Sequence, residues 1–186
     1  RMIVQETGIA EAEARALLAS VTPLAGDCGQ VCGGRCCAAP EDGTPCGMRL
    51  FPGEYPKEER KAAALEGFAF YPGDLLVCSG RCRRYIRPLS CRIFPLFPYY
   101  GTDGRVRAVY DPRAYRICPL VRQAAHVPLR REFVRLVRQA GRILAADDGC
   151  RAFLDSQSRE IDEVNRFLRL DSVRPPICRR EIRPRL

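Results

Sequence analysis

The ten residues CGQVCGGRCC, at positions 28–37, place four cysteines and three glycines side by side. Neighbouring cysteines lose little chain entropy when their thiols converge on one ion, and zinc and iron–sulfur clusters are both usually held by about four thiolates. Cysteines spaced four apart would also share one face of a helix, but the glycines and the adjacent Cys36 and Cys37 favour irregular backbone. We therefore predict a loop wrapped around a metal.

Cysteine usage also indicates the compartment. The chain has 186 residues and 11 cysteines, and their odd number and the vicinal pair disfavour a disulfide framework. The start, RMIVQETGIA, lacks the apolar core of a signal peptide, and no apolar run approaches the length of a membrane span. We expect a cytoplasmic metal-binding protein without a membrane segment.

A second cysteine-rich stretch, LVCSGRCRRYIRPLSCRIFP, occupies positions 76–95. Its arginines suit a thiolate site, because four thiolates around a divalent cation leave a surplus negative charge that guanidinium groups can offset. Arg87 and Arg92 are therefore candidate cofactor-binding residues. We favour a supporting role for both over direct binding of an anion.

The spacing C-x3-C-x3-CC, followed by C-x3-C-x2-Y-x-R-P-x2-C-R-x-F-P, resembles the YkgJ-type cysteine-cluster family. That family is described as a zinc- or iron-chelating domain. The resemblance covers about residues 28–120, and it includes the segment MRLFPGE, which ends at Glu54, and the Cys-Pro of ICPL. The resemblance implies eight candidate metal ligands: Cys28, Cys32, Cys36, Cys37, Cys78, Cys82, Cys91 and Cys118.

Eight thiolates would suit two four-coordinate sites, or one site with spare structural thiols. Because adjacent side chains seldom reach one tetrahedral ion, Cys36 and Cys37 are expected to serve different metals, or one of them to face the core. Zinc is the favoured metal and a 4Fe-4S cluster the alternative. Three cysteines, Cys46, Cys150 and Cys178, have no assigned role, and the single histidine, His126, is interpreted as a core or surface residue.

Hydrophobic periodicity predicts a mainly α fold with extensive irregular loops and a small β-hairpin. A helix capped by Thr7 should cover 7–21, and a shorter one 57–66. The alternation in GRVRAVYD, 104–111, predicts a strand that pairs with IFPLFPYY, 93–100. A helical hairpin should cover 128–170, where apolar residues recur at spacings of three and four.

We expect a single domain over 1–186. The cysteine-cluster region, 28–120, should form a metal-centred core, against which the N-terminal helix and the C-terminal helical hairpin pack. The basic, proline-containing segment 174–186 should be a loosely attached tail.

Charge is unevenly distributed along the chain. Residues 81–186 hold 24 Lys and Arg against 11 Asp and Glu, a net charge of +13, whereas residues 1–80 carry −4. A basic half is typical of proteins that bind nucleic acid or an acidic protein, so a zinc-stabilised interaction module is one alternative function. The family's kinship with flagellin lysine methylases implies another, an iron–sulfur or S-adenosylmethionine-linked modifying enzyme. The sequence contains no P-loop, GxGxxG, GxSxG or HExxH motif.

Overall fold

A computed structural model describes residues 8–37, 47–78, 80, 82–122 and 127–169. Just over half of these residues are helical, which agrees with the predicted mainly α class. The helices are α1 (Ile9–Leu17), α2 (Cys28–Cys32), α3 (Lys57–Leu65), α4 (Leu89–Ile93), α5 (Ala114–Ile117), α6 (Pro119–Arg122), α7 (Arg131–Ala146) and α8 (Asp148–Leu168). None of the described helices is both long and apolar enough to cross a bilayer.

The strands form two small antiparallel sheets. They are β1 (Gly47–Arg49), β2 (Phe68–Tyr71), β3 (Leu75–Cys78), β4 (Leu96–Tyr100) and β5 (Val106–Tyr110). The hairpin predicted from the alternating residues is confirmed, with β4 paired to β5 from Leu96 opposite Tyr110 to Tyr100 opposite Val106. The other sheet, in the order β1-β3-β2, was not predicted. Its strands of three or four residues are too short to show a periodicity.

The predicted helical hairpin is also confirmed as α7 and α8. A single residue, Asp147, separates the two helices, and its carboxylate accepts a hydrogen bond of 2.8 Å from the Cys150 amide at the start of α8. This side chain satisfies an amide that has no partner within the helix. The N-terminal and 57–66 helices are confirmed as α1 and α3. The predicted cap Thr7 and the tail 174–186 lie outside the described residues.

The main hydrophobic core is formed by apolar side chains from α1, α4, the β4–β5 hairpin, α7 and α8. Fully buried members include Leu18, Leu96, Phe133 and Leu154. A smaller cluster lies between α3 and the three-stranded sheet. The predicted metal-centred cysteine core is not shown by the described part of the chain. Cys82 and Cys118 belong to these two apolar clusters, and four more of its thiols only pack against them, namely Cys28, Cys36, Cys78 and Cys91.

Candidate metal centre

The stretch 28–37 is partly helical, so the prediction of an irregular loop throughout was wrong. Asp27 accepts a hydrogen bond of 3.0 Å from the Gly29 amide and thereby begins α2. Gly33, with φ 64°, ends that helix, and a 3₁₀ turn follows at Arg35–Cys37. The four-residue spacing of Cys28 and Cys32 therefore places both thiols on one face of a single helical turn.

Four thiols come together around α2, and we call Cys28, Cys32, Cys36 and Cys118 group 1. Burial, together with the nearby thiols of Cys32 and Cys118, raises the pKa of Cys28 to about 11. Cys118, at the end of α5, is brought to this place by contact between α5 and the 3₁₀ turn. Burial and the proximity of Cys32 raise its pKa as well.

The other four candidates also have one another as neighbours, and we call Cys37, Cys78, Cys82 and Cys91 group 2. Burial raises the pKa of the partly exposed Cys91 well above its ordinary value, and the thiols of Cys37, Cys82 and Cys78 add to the effect. Burial and the neighbouring Cys78 thiol raise the pKa of Cys82 to about 11. Each of the eight predicted ligands therefore has another predicted ligand as a neighbour, and the two groups meet at Cys36 and Cys37.

Gly80 allows group 2 to assemble from distant parts of the chain. Its φ is 85°, and its amide donates a hydrogen bond of 3.3 Å to the Cys78 sulfur. A Cβ atom at this position would lie 3.1 Å from the carbonyl oxygen of Cys37. The loop after β3 can therefore approach the 3₁₀ turn closely only because residue 80 has no side chain.

The vicinal cysteines join the two groups. The sulfur atoms of Cys36 and Cys37 are 3.9 Å apart and share a hydrogen bond. That bond raises the pKa of Cys36 and lowers the pKa of Cys37 to about 6. The positive charge of Arg87 lies near Cys37 and favours its thiolate.

Arg87 and Arg92 have different surroundings. The Arg87 guanidinium hydrogen-bonds the Cys82 thiol and lies near Cys37, and within the described residues its buried Nε has no hydrogen-bond partner. It therefore places a positive charge at group 2. Arg92 instead donates to four backbone carbonyls, those of Arg15, Arg84, Tyr85 and Arg87, at 3.1, 3.3, 2.8 and 2.9 Å.

Glu54 positions the helix that carries Cys91. One of its carboxylate oxygens accepts a hydrogen bond of 2.8 Å from the Phe51 amide, and the other accepts one from the Leu89 amide at the start of α4. The side chain is almost fully buried. The resemblance included this acidic residue, but only the fold reveals that it anchors α4.

The remaining cysteines are in other places. Cys150 is buried in α8 near Pro52 and is a neighbour of neither group. Cys46, Cys178 and His126 lie outside the described residues. All nine described cysteines are free thiols.

The thiols of each group are neighbours, but they are not arranged as a finished coordination sphere. Within 8–37, 47–78, 80, 82–122 and 127–169, no three cysteine, histidine, aspartate or glutamate side chains converge closely enough to hold a metal ion.

Comparisons with known proteins do not identify a relative. The resemblance to the YkgJ-type family therefore stays a prediction from the residues quoted above. No protein-family model matches the chain, and no curated protein or solved structure is significantly similar to it.

Proposed function

We propose that the chain is a metal-binding protein with two thiolate sites, one built from group 1 and the other from group 2. The observation that carries this proposal is the approach of the segments that bear the candidate ligands. The sulfur atoms of Cys36 and Cys37 lie 3.9 Å apart, Gly80 packs against Cys37, and α5 contacts the 3₁₀ turn. Four thiolates complete the coordination of one zinc ion, with Zn–S distances of about 2.3 Å.

The vicinal pair supports two sites over one. Cys36 has Cys28 and Cys32 as neighbours, whereas Cys37 is a neighbour of Cys91. Assigning Cys36 to group 1 and Cys37 to group 2 means that no ion has to accept two consecutive residues. The two metal sites would then share one backbone connection and fold together.

The protonation of the thiols and the charge of Arg87 also support metal binding by these cysteines. Raised pKa values at Cys28, Cys82, Cys91 and Cys118 mean that these thiols keep their protons near neutral pH in the absence of a metal. A divalent cation displaces those protons and stabilises the thiolates. Arg87 offsets part of the remaining negative charge at group 2.

Zinc is the metal we propose, and its role is to stabilise the fold by joining α2, the 3₁₀ turn, the end of β3 and α4. A 4Fe-4S cluster takes the same number of thiolates, so the experiment below distinguishes the two. Because free thiols persist in a reducing environment, we further propose that the protein acts in the cytoplasm.

The experiment is elemental analysis of protein purified in air and under anaerobic conditions. We expect about two zinc ions per chain, and a colourless sample. Cys118→Ser should remove about one ion and leave group 2 loaded, and Cys91→Ser should do the reverse. Cys150→Ser is the matched control, since that buried cysteine belongs to neither group, and it should retain both ions.

Three results would overturn the assignment. A folded chain without metal would exclude both sites, and equal loss of metal from Cys150→Ser and Cys118→Ser would exclude group 1 as a separate site. A brown anaerobic sample that contains iron and sulfide would replace zinc by an iron–sulfur cluster.

A further inference from the structure

A groove lined with arginines lies between the β4–β5 hairpin and α7, and no cysteine of group 1 or group 2 lines it. Its volume is about 820 Å³. Arg105 and Arg107 line it from the hairpin, and Arg138 and Arg142 from α7. The lining also includes Tyr100 and apolar or small side chains, namely Val106, Ala108, Val134, Ala145 and Ala146.

The α7 side of the groove belongs to a longer basic stripe. Exposed arginines recur along this helix at spacings of four, three and four, at Arg131, Arg135, Arg138 and Arg142. These spacings keep them on one face, and at 1.5 Å per residue the stripe is about 16 Å long. A single small anion could contact only part of it, so the stripe suits an extended polyanion.

The charges of Arg138 and Arg142 in the groove are not neutralised by an ion pair within the described residues. Among the described residues, Glu132 is the one acidic side chain on α7, and it pairs with Arg130 at 2.6 Å. Asp103 pairs with Arg107.

We propose that this groove binds single-stranded nucleic acid, with arginines on the phosphates and unpaired bases against Tyr100 and the apolar lining. Arginine forms two parallel hydrogen bonds with a phosphate. Aromatic and apolar surfaces accept the faces of unpaired bases. Bases within a duplex are stacked on one another and cannot reach such a surface, and an acidic peptide has no flat rings to place there. The inference is independent of the metal sites.

The test is fluorescence anisotropy of the full, metal-loaded chain with a labelled oligo-uridine of about ten nucleotides. We expect Arg138→Gln/Arg142→Gln to weaken binding on the order of tenfold, and to reduce the slope of log K against log salt by about two. The matched control, Arg159→Gln/Arg166→Gln, removes the same charge from exposed positions on α8 that do not line the groove. It should bind almost as tightly as the unchanged chain.

Arg105→Gln is a second variant, on the hairpin side of the groove, for the case in which circular dichroism shows that the double change in α7 impairs folding. It should also weaken binding and reduce the slope of log K against log salt. Equal affinities of the groove variants and the α8 control would overturn the proposal, as would the absence of binding at low salt. Equal or tighter binding of a duplex or of polyglutamate would also overturn it, in favour of a less specific polyanion surface.

Discussion

Replacing Arg92 by glutamine should severely destabilise the protein. The Arg92 side chain is only 6% exposed, and its guanidinium donates to carbonyls from two separate segments, the end of α1 at Arg15 and the turn at 84–87. It therefore connects the N-terminal helix to the segment between two cysteines of group 2, Cys82 and Cys91.

The size of the effect follows from those four hydrogen bonds. Each bond from a charged donor contributes about 1.5–3 kcal/mol, and a buried carbonyl left without a donor costs about 1–3 kcal/mol. Glutamine can retain about one or two of the bonds, and water can reach part of the exposed turn. The expected loss is about 3–5 kcal/mol, which corresponds to a fall of roughly 6–20 °C in the melting temperature of a chain of this size.

The assay is thermal unfolding of the metal-loaded protein, followed by far-ultraviolet circular dichroism. Arg83→Gln is the matched control, because Arg83 is exposed and its guanidinium has one hydrogen bond, a long contact of 3.3 Å with Tyr85. Its melting temperature should be unchanged. If Arg92→Gln and Arg83→Gln melt within a degree or two of each other, the four carbonyl contacts do not hold the fold together and the reasoning is refuted.

Two further predictions concern packing and pH. Gly141→Ala should destabilise the protein by about 1 kcal/mol, because the new Cβ would lie 2.5 Å from the Pro98 Cβ. The overpacking costs about 1–3 kcal/mol, which exceeds the gain of about 1 kcal/mol in helix propensity. An unchanged or higher unfolding midpoint in urea would contradict this prediction. Burial and, to a smaller extent, the charge of Glu11 raise the pKa of Glu54 from 4.5 to about 8. The free energy of unfolding is therefore greatest while Glu54 is protonated, and it falls as the pH rises from the pKa of the unfolded state to that of the folded state. Glu11→Gln removes the neighbouring charge and should lose less stability than the unchanged chain between pH 4.5 and about 8, the two pKa values of Glu54. Urea titrations measure the loss, and identical losses would contradict the coupling.

The parts of the fold that could be predicted from sequence are those with long or repeated patterns. In α7 and α8 the apolar residues recur over many turns, and in the β4–β5 hairpin the alternation of GRVRAVYD extends through a whole strand. The three-stranded sheet was missed because its strands are short. The helical turn at Cys28–Cys32 was missed because Gly33 and Gly34 were taken to disrupt the helix, whereas Gly33 ends it.

The candidate ligands could be chosen from cysteine spacing and the family resemblance, but their division into groups could not. The division depends on tertiary contacts, such as the approach of Gly80 to Cys37 and of α5 to the 3₁₀ turn. The arginine groove could not be predicted from the sequence either. Arg105 and Arg138 are far apart in sequence, and they form opposite walls of the groove only after α7 packs on the hairpin. The sequence did indicate a basic half.

X-ray absorption spectroscopy at the zinc edge of the purified, metal-loaded chain tests the central proposal most directly, because it reports the atoms bound to the metal. The account predicts a shell of about four sulfur atoms at about 2.3 Å, with no nitrogen or oxygen ligand. A shell that contains nitrogen or oxygen, or a folded sample with no bound metal, would contradict it.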